Sequence, residues 1–148
     1  MADNITSILN DLVETSKDGE KGFRTAAEDT KNAELQPVFL RRAQDCGTAA
    51  AELQQLVTRL GGNPEDGGSV VGAVHRGWVN LKAAVASRTD LAILEECERG
   101  EDVAKARYRK ALEETLPDEI RVLVQRQYDG VMRNHDQIRD LRDRYKRS

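Results

Sequence analysis

Four long stretches of this sequence carry apolar residues three and four positions apart, and that recurrence dictates amphipathic helices. The first stretch runs from about residue 4 to 30, with Ile5, Ile8, Leu9, Leu12, Val13, Ser16, Glu20, Phe23 and Ala27 along one face. The second spans about 33 to 60 through Phe39, Ala43, Cys46, Ala50, Leu53, Val57 and Leu60. Leu94, Cys97, Glu101, Ala104, Tyr108 and Leu112 mark the third, about 91 to 115. The last covers about 117 to 145 through Ile120, Val124, Tyr128, Val131, His135, Ile138 and Leu141. Helices of this kind extend about 40 Å at a rise of 1.5 Å per residue. Matched lengths bury their stripes most simply side by side.

The breaks between stretches set the connectivity. Asp3 or Asn4 is suited to cap the first helix, and residues 29–32 form a short polar turn. Pro37 falls in the first turn of the second helix, where a missing N–H is tolerated. Gly61-Gly62-Asn63-Pro64 ends that helix and opens the linker GGNPEDGG, residues 61–68. Ser69 can cap a short helix over about 69–86, carrying Val70, Val71, Val74, Trp78, Leu81 and Val85. Residues 87–90 break the chain again, and Pro117 followed by two acids starts the final helix. Two short turns make two helical hairpins, and the long connection joins them. The expectation is a single all-α domain over residues 1–148: a ferritin-like antiparallel four-helix bundle with a short extra helix in the crossover between helices two and three. Its rival is an up-down-up-down bundle with the small helix folded across one end.

Composition narrows the function classes. Lys plus Arg is 23 against 26 Asp plus Glu, a net charge of −3, so a dedicated nucleic-acid binder is not expected. Aromatic residues make up only 4% and charged residues 33%, which suits charged helix faces and not a β-sandwich. No signal-peptide pattern opens the chain, and no apolar run approaches the roughly 20 residues of a membrane span. Cys46 and Cys97 fall on inner faces of different helices and read as reduced core thiols. A cytoplasmic protein without membrane attachment follows.

An internal repeat links the two hairpins. Lys17-Asp-Gly-Glu20 matches Glu98-Arg-Gly-Glu101 at an offset of 81 residues. At that offset Leu35 meets Leu116, Ala50 meets Val131, Val57 meets Ile138 and Leu60 meets Leu141. Glu20 and Glu101 therefore occupy equivalent inner-face positions, and Gln54 aligns with His135 at the same offset, bordering the cores of helices two and four. A buried ionised carboxylate is costly unless paired, metal-bound or neutralised. Two carboxylates and an imidazole facing each other inside a bundle are ingredients of a di-iron or di-manganese site. Glu20, Glu101 and His135, with Gln54 beside them, are accordingly the candidate metal ligands, and iron or manganese the candidate cofactor. The full dinuclear set needs a Glu-x-x-His on each of two helices, and no such tetrad occurs in the chain. The expected arrangement is both carboxyl groups near mid-length, within reach of one water or one ion, with His135 close by. Failing a metal, the two carboxyl groups would share a proton, or His135 or a nearby Arg or Lys would compensate them.

Gly19, Gly22, Gly47, Gly100 and Gly130 lie inside the helices, each unfavourable by about 1 kcal/mol relative to alanine. Close approach of helix backbones is the expected reason, with room for a ligand as the alternative. His75 and Trp78 share a face of the crossover helix, and Trp78 is expected to dock that helix on the bundle. The basic terminus RDLRDRYKRS suits a helix C-terminus and its dipole. No nucleophile elbow or phosphate-binding glycine loop is present, so no catalytic residue is assigned.

The segments LNDLVETSKDGEKGFRTAAED, HRGWVNLK, ILEECERGEDVAKARYRKAL and MRNHDQIRDL resemble an uncharacterised bacterial family of ferritin-like four-helix-bundle proteins, itself distantly similar to rubrerythrins. The resemblance covers about residues 4–145 and implies a helical bundle, a homodimer and a link to stress physiology. The excess apolar surface of the crossover helix points to the same dimer. The function expected is that of a non-enzymatic or weakly metal-binding protein acting through oligomerisation or a protein partner. The alternative is a di-iron or di-manganese redox or metal-storage protein.

Overall fold

The computed structural model describes residues 2–64, Trp78 and residues 89–147. These form four helices: α1 (Ala2–Asp29), α2 (Leu35–Arg59), α3 (Asp90–Leu112) and α4 (Asp118–Arg147). Among the described residues there is no strand. The helix α1 begins at Ala2, so Asp3 and Asn4 fall inside it and not at the expected cap position. Thr89 caps α3, its hydroxyl accepting from the Ala92 N–H at 3.3 Å. Gly61 closes α2 at φ +81, a conformation open to glycine without a Cβ penalty. Apart from Trp78, the expected crossover helix lies outside the described residues.

Contacts along the helices fix their directions. In the first hairpin Gln36 Nε2 donates to the Ala27 carbonyl at 3.1 Å, while at the other end Asn10 Nδ2 donates to Asn63 O at 3.0 Å. The second hairpin pairs Glu98 with Arg142 and, at its turn, the Arg121 guanidinium with Leu112 O. Between hairpins, α1 meets α3 through Asp11–Arg107 and through Asn32–Asp90 at the opposite end. Arg59–Glu119 and Tyr145–Glu34 tie the two ends of α2 to α4. All four neighbouring pairs are thus antiparallel, which makes the diagonal helices α2 and α3 parallel. Residues 64 and 89 consequently sit at opposite ends of the bundle. An up-down-up-down order would require α2 and α3 to be antiparallel neighbours.

Burial follows the sequence stripes. One apolar cluster gathers Phe23, Leu35, Phe39, Leu94 and Ile138 at one end. A second gathers Leu9, Leu12, Leu53, Val57, Val124 and Val131 at the other. Residues matched by the 81-residue offset share their burial: Leu35 and Leu116, Ala50 and Val131, and Val57 and Ile138 are all buried. Trp78 is buried against Phe23, edge to face with ring centroids 5.4 Å apart. A Cβ on Gly22 or on Gly100 would overlap the indole. These two glycines therefore open a slot for a side chain, and not for the backbone approach expected from the sequence. Gly19 and Gly47 act alike, admitting the Cys46 thiol and the Glu20 carboxylate.

Candidate functional site

Between the apolar clusters the bundle turns polar. Arg42 on α2 reaches diagonally to Glu101 on α3 with a fork of two bonds, Nε to Oε1 at 3.1 Å and Nη2 to Oε2 at 3.4 Å. The Glu101 side chain is 2% exposed and that of Arg42 9%. Burial by itself lowers an arginine pKa, but attraction to Glu101 more than offsets it, so Arg42 is held charged and above its ordinary value. Each charge is the other's counter-ion. Such a pair contributes little net stability when complete, whereas removing one partner is strongly destabilising.

Hydroxyl and amide groups extend the polar layer. Tyr108 Oη lies 3.1 Å from Ser16 Oγ and donates to Gln127 Oε1 at 2.8 Å. Gln127 Nε2 in turn donates to Glu52 Oε1 at 3.1 Å. Burial raises the Tyr108 pKa, while the Ser16 bond opposes the rise. The buried Cys46 thiol is pushed up to about 12 by desolvation, against the pull of Arg42. Burial also raises Cys97. Both cysteines are free and buried, as the sequence indicated, and both are neutral at physiological pH.

This layer encloses a cavity of about 380 Å³, lined among others by Ser16, Arg42, Cys46, Trp78, Glu101, Tyr108 and Gln127. Gly19 and Gly100 also face it. Toward solvent, Arg41, Asp45 and Arg133 form its outer wall between α2 and α4, the neighbouring pair that approaches least closely.

The sequence-predicted ligands have separate partners. Glu101 is on the inner face, engaged with Arg42. Glu20 pairs within its own helix, with Lys17 at 3.7 Å and Arg24 at 3.4 Å, and lies against Gly47. His135 is buried on α4, its Nε2 2.7 Å from Asp102 Oδ1 and its Nδ1 3.3 Å from Asp136 Oδ1. Gln54 is half-buried on α2. Among the described residues no group of three or more His, Cys, Asp or Glu side chains is arranged to hold a metal ion.

The site residue that inspection of stripes passed over is Arg42. Its position carried a signal: it stands three residues after Phe39 and four before Cys46, in register with the inner face of α2. Gln127 carried none, since it borders the stripe of α4.

A four-helix bundle whose diagonal helices are clasped by a buried Arg–Glu pair, beside a polar cavity, is the class these features define. The family model described as "Domain of unknown function (DUF2383)" matches residues 4–114, and the chain belongs to that family. The match contains α1, α2 and α3, and with them Arg42, Glu101 and Tyr108; His135 and Gln127 lie beyond it. A comparison with curated proteins finds no match.

Proposed function

We propose that this protein is a ferritin-like bundle that acts by binding and not by redox chemistry. Its centre holds a fixed guanidinium where a metal-dependent relative would hold a cation. The observation that carries this reading is the Arg42–Glu101 fork, which satisfies an inner-face carboxylate only 2% exposed with an internal positive charge. A second cation beside Arg42 would be repelled, and Glu101 has one net charge to neutralise. Glu20, Glu101 and His135, with Gln54, are then remnants of ligand positions. The antiparallel neighbours, and the placing of residues 64 and 89 at opposite ends of the bundle, support the ferritin-like connectivity. Homodimerisation, a cytoplasmic location and a role in stress physiology complete the proposal, supported by the family resemblance. Of the apolar residues expected on the dimer surface, Trp78 is buried in the bundle, and Val70, Val71, Val74, Leu81 and Val85 lie outside the described residues, as does His75.

The test is elemental analysis of protein purified without chelator, paired with melting curves with and without added manganese. The proposal expects substoichiometric iron and manganese and an unchanged Tm, since a metal that binds the native state would raise it. Near-stoichiometric metal that disappears in Glu101→Gln would overturn it in favour of a redox or storage centre.

A further inference from the structure

The seam between α2 and α4 carries charges that the bundle itself does not use. Two cavities meet there. The central one is described above; the other, about 470 Å³, lies outside it along Pro37, Val38, Asn134 and Gln137. Both are walled by Arg41, Arg42, Asp45, Gly130 and Arg133, so they adjoin at this seam. Gly130 leaves space at the seam, for a Cβ there would touch only the end of the Arg133 side chain, at 3.6 Å.

The charges around the seam do not cancel. Arg42 is neutralised by Glu101, and Arg126 by Glu52 at 2.8 Å. Arg41, Arg133 and Asp45 form no ion pair among the described residues. Among the described residues, two guanidinium groups against one carboxylate leave a single positive charge at the mouth. Beside them Asn134 Nδ2 is buried with no hydrogen-bond partner, the one such side-chain atom among the described residues. A buried donor without an acceptor is unfavourable. An acceptor arriving at this seam would relieve that cost.

We propose that the α2–α4 cleft binds a small organic monocarboxylate. Its head is held by Arg41, Arg133 and the Asn134 amide, and its body enters the central cavity. The chemistry selects this class on three counts. A planar carboxylate matches the arginine fork. The residual single positive charge matches one negative charge, and Asp45 disfavours a second. The space behind the head falls in the size range of small-molecule pockets and offers Ala49, Val131 and Trp78 to an apolar body, more than a bare ion would fill. The inference deepens the binding role proposed above. Its failure would leave that role, argued from Arg42 and Glu101, in place.

The test is titration of the full chain with acetate, butyrate, hexanoate and inorganic phosphate, followed by NMR of the Asn134 side-chain amide and by calorimetry. Hexanoate is expected to shift the Asn134 amide saturably, in the roughly millimolar range open to so small a ligand, and to bind more tightly than acetate or phosphate. Arg41→Gln and Arg133→Gln should each weaken hexanoate about tenfold, the size of one lost charge-assisted bond. Both residues are exposed, so the variants should keep the wild-type melting temperature. Gly130→Leu, which fills the seam without altering charge, should abolish the shift. Absence of a saturable shift with any carboxylate would overturn the proposal. So would binding indifferent to both arginines, or phosphate binding as tightly as hexanoate, which would mean an adventitious ion only.

Discussion

The two hairpins place their inner-face glutamates in different surroundings. In the first, Glu20 stays one-fifth exposed and is served by Lys17 and Arg24 from its own helix. In the second, Glu101 is buried and is served across the bundle by Arg42. The offset that equates the glutamates also equates Arg42 with Leu123 and Gly47 with Tyr128. The second hairpin therefore has a leucine where the first has Arg42, and the first offers Glu20 a bare glycine surface to lie against. Position in a repeat sets which face a carboxylate starts from. The opposing helix decides whether it stays inside.

The largest effect that would break this comparison is expected at Arg42. Arg42→Met leaves Glu101 buried without a counter-ion and should destabilise the fold by about 3–5 kcal/mol, read from denaturant unfolding. The double variant Arg42→Met with Glu101→Met should recover most of that loss, because two charges leave together. A double variant no more stable than the single one would show that the pair itself, and not the stranded charge, holds the helices.

Next in size is the slot around Trp78. Gly100→Ala puts a methyl group into the indole ring and should destabilise by about 1–3 kcal/mol, with a shift in Trp78 fluorescence. Gly130→Ala meets only a flexible side chain and should stabilise by up to about 1 kcal/mol through helix propensity. Equal effects at the two glycines would contradict the slot.

Alkaline titration separates the polar layer from the surface. The folded-state pKa of Cys46 is pushed up to about 12, above the ordinary 9.0, and Cys97 and Tyr108 are raised as well. Above pH 9 the unfolded thiols lose protons that the folded ones keep, so the unfolded state is favoured as pH rises. Stability should be level below pH 9 and then fall toward pH 12, by about 1 kcal/mol per pH unit for each buried thiol. Replacing Cys46 and Cys97 by alanine should flatten that slope, which monitoring unfolding against pH would show.

The smallest effect belongs to Glu20. Glu20→Gln removes two partly exposed pairs along one helix and should change stability by no more than about 1 kcal/mol. A loss as large as that of Arg42→Met would restore the equivalence of the two glutamates.

Much of this architecture was legible from residue order. Leu35 and Leu116, or Val57 and Ile138, are buried as their spacing required, because a helical stripe has one apolar side and one way to hide it. The four helices appear within a few residues of their expected limits, displaced mainly at their ends. Misread were the glycines. Nothing in the order of residues tells whether a missing Cβ serves a neighbouring backbone or a neighbouring ring.

The periodicity by itself determined four amphipathic helices, two hairpins and a carboxylate on an inner face, since each of these is set by contacts within a few turns of one chain segment. The pairing of Arg42 with Glu101 was decided only by the tertiary structure. The two residues are 59 positions apart, on helices that do not neighbour each other, and only packing along the diagonal brings a guanidinium to that carboxylate. The same holds for the seam of Arg41, Asp45, Arg133 and Asn134. Electrostatic complementarity depends on distance in space, and distance in space across a bundle is not written in the spacing of residues along its helices.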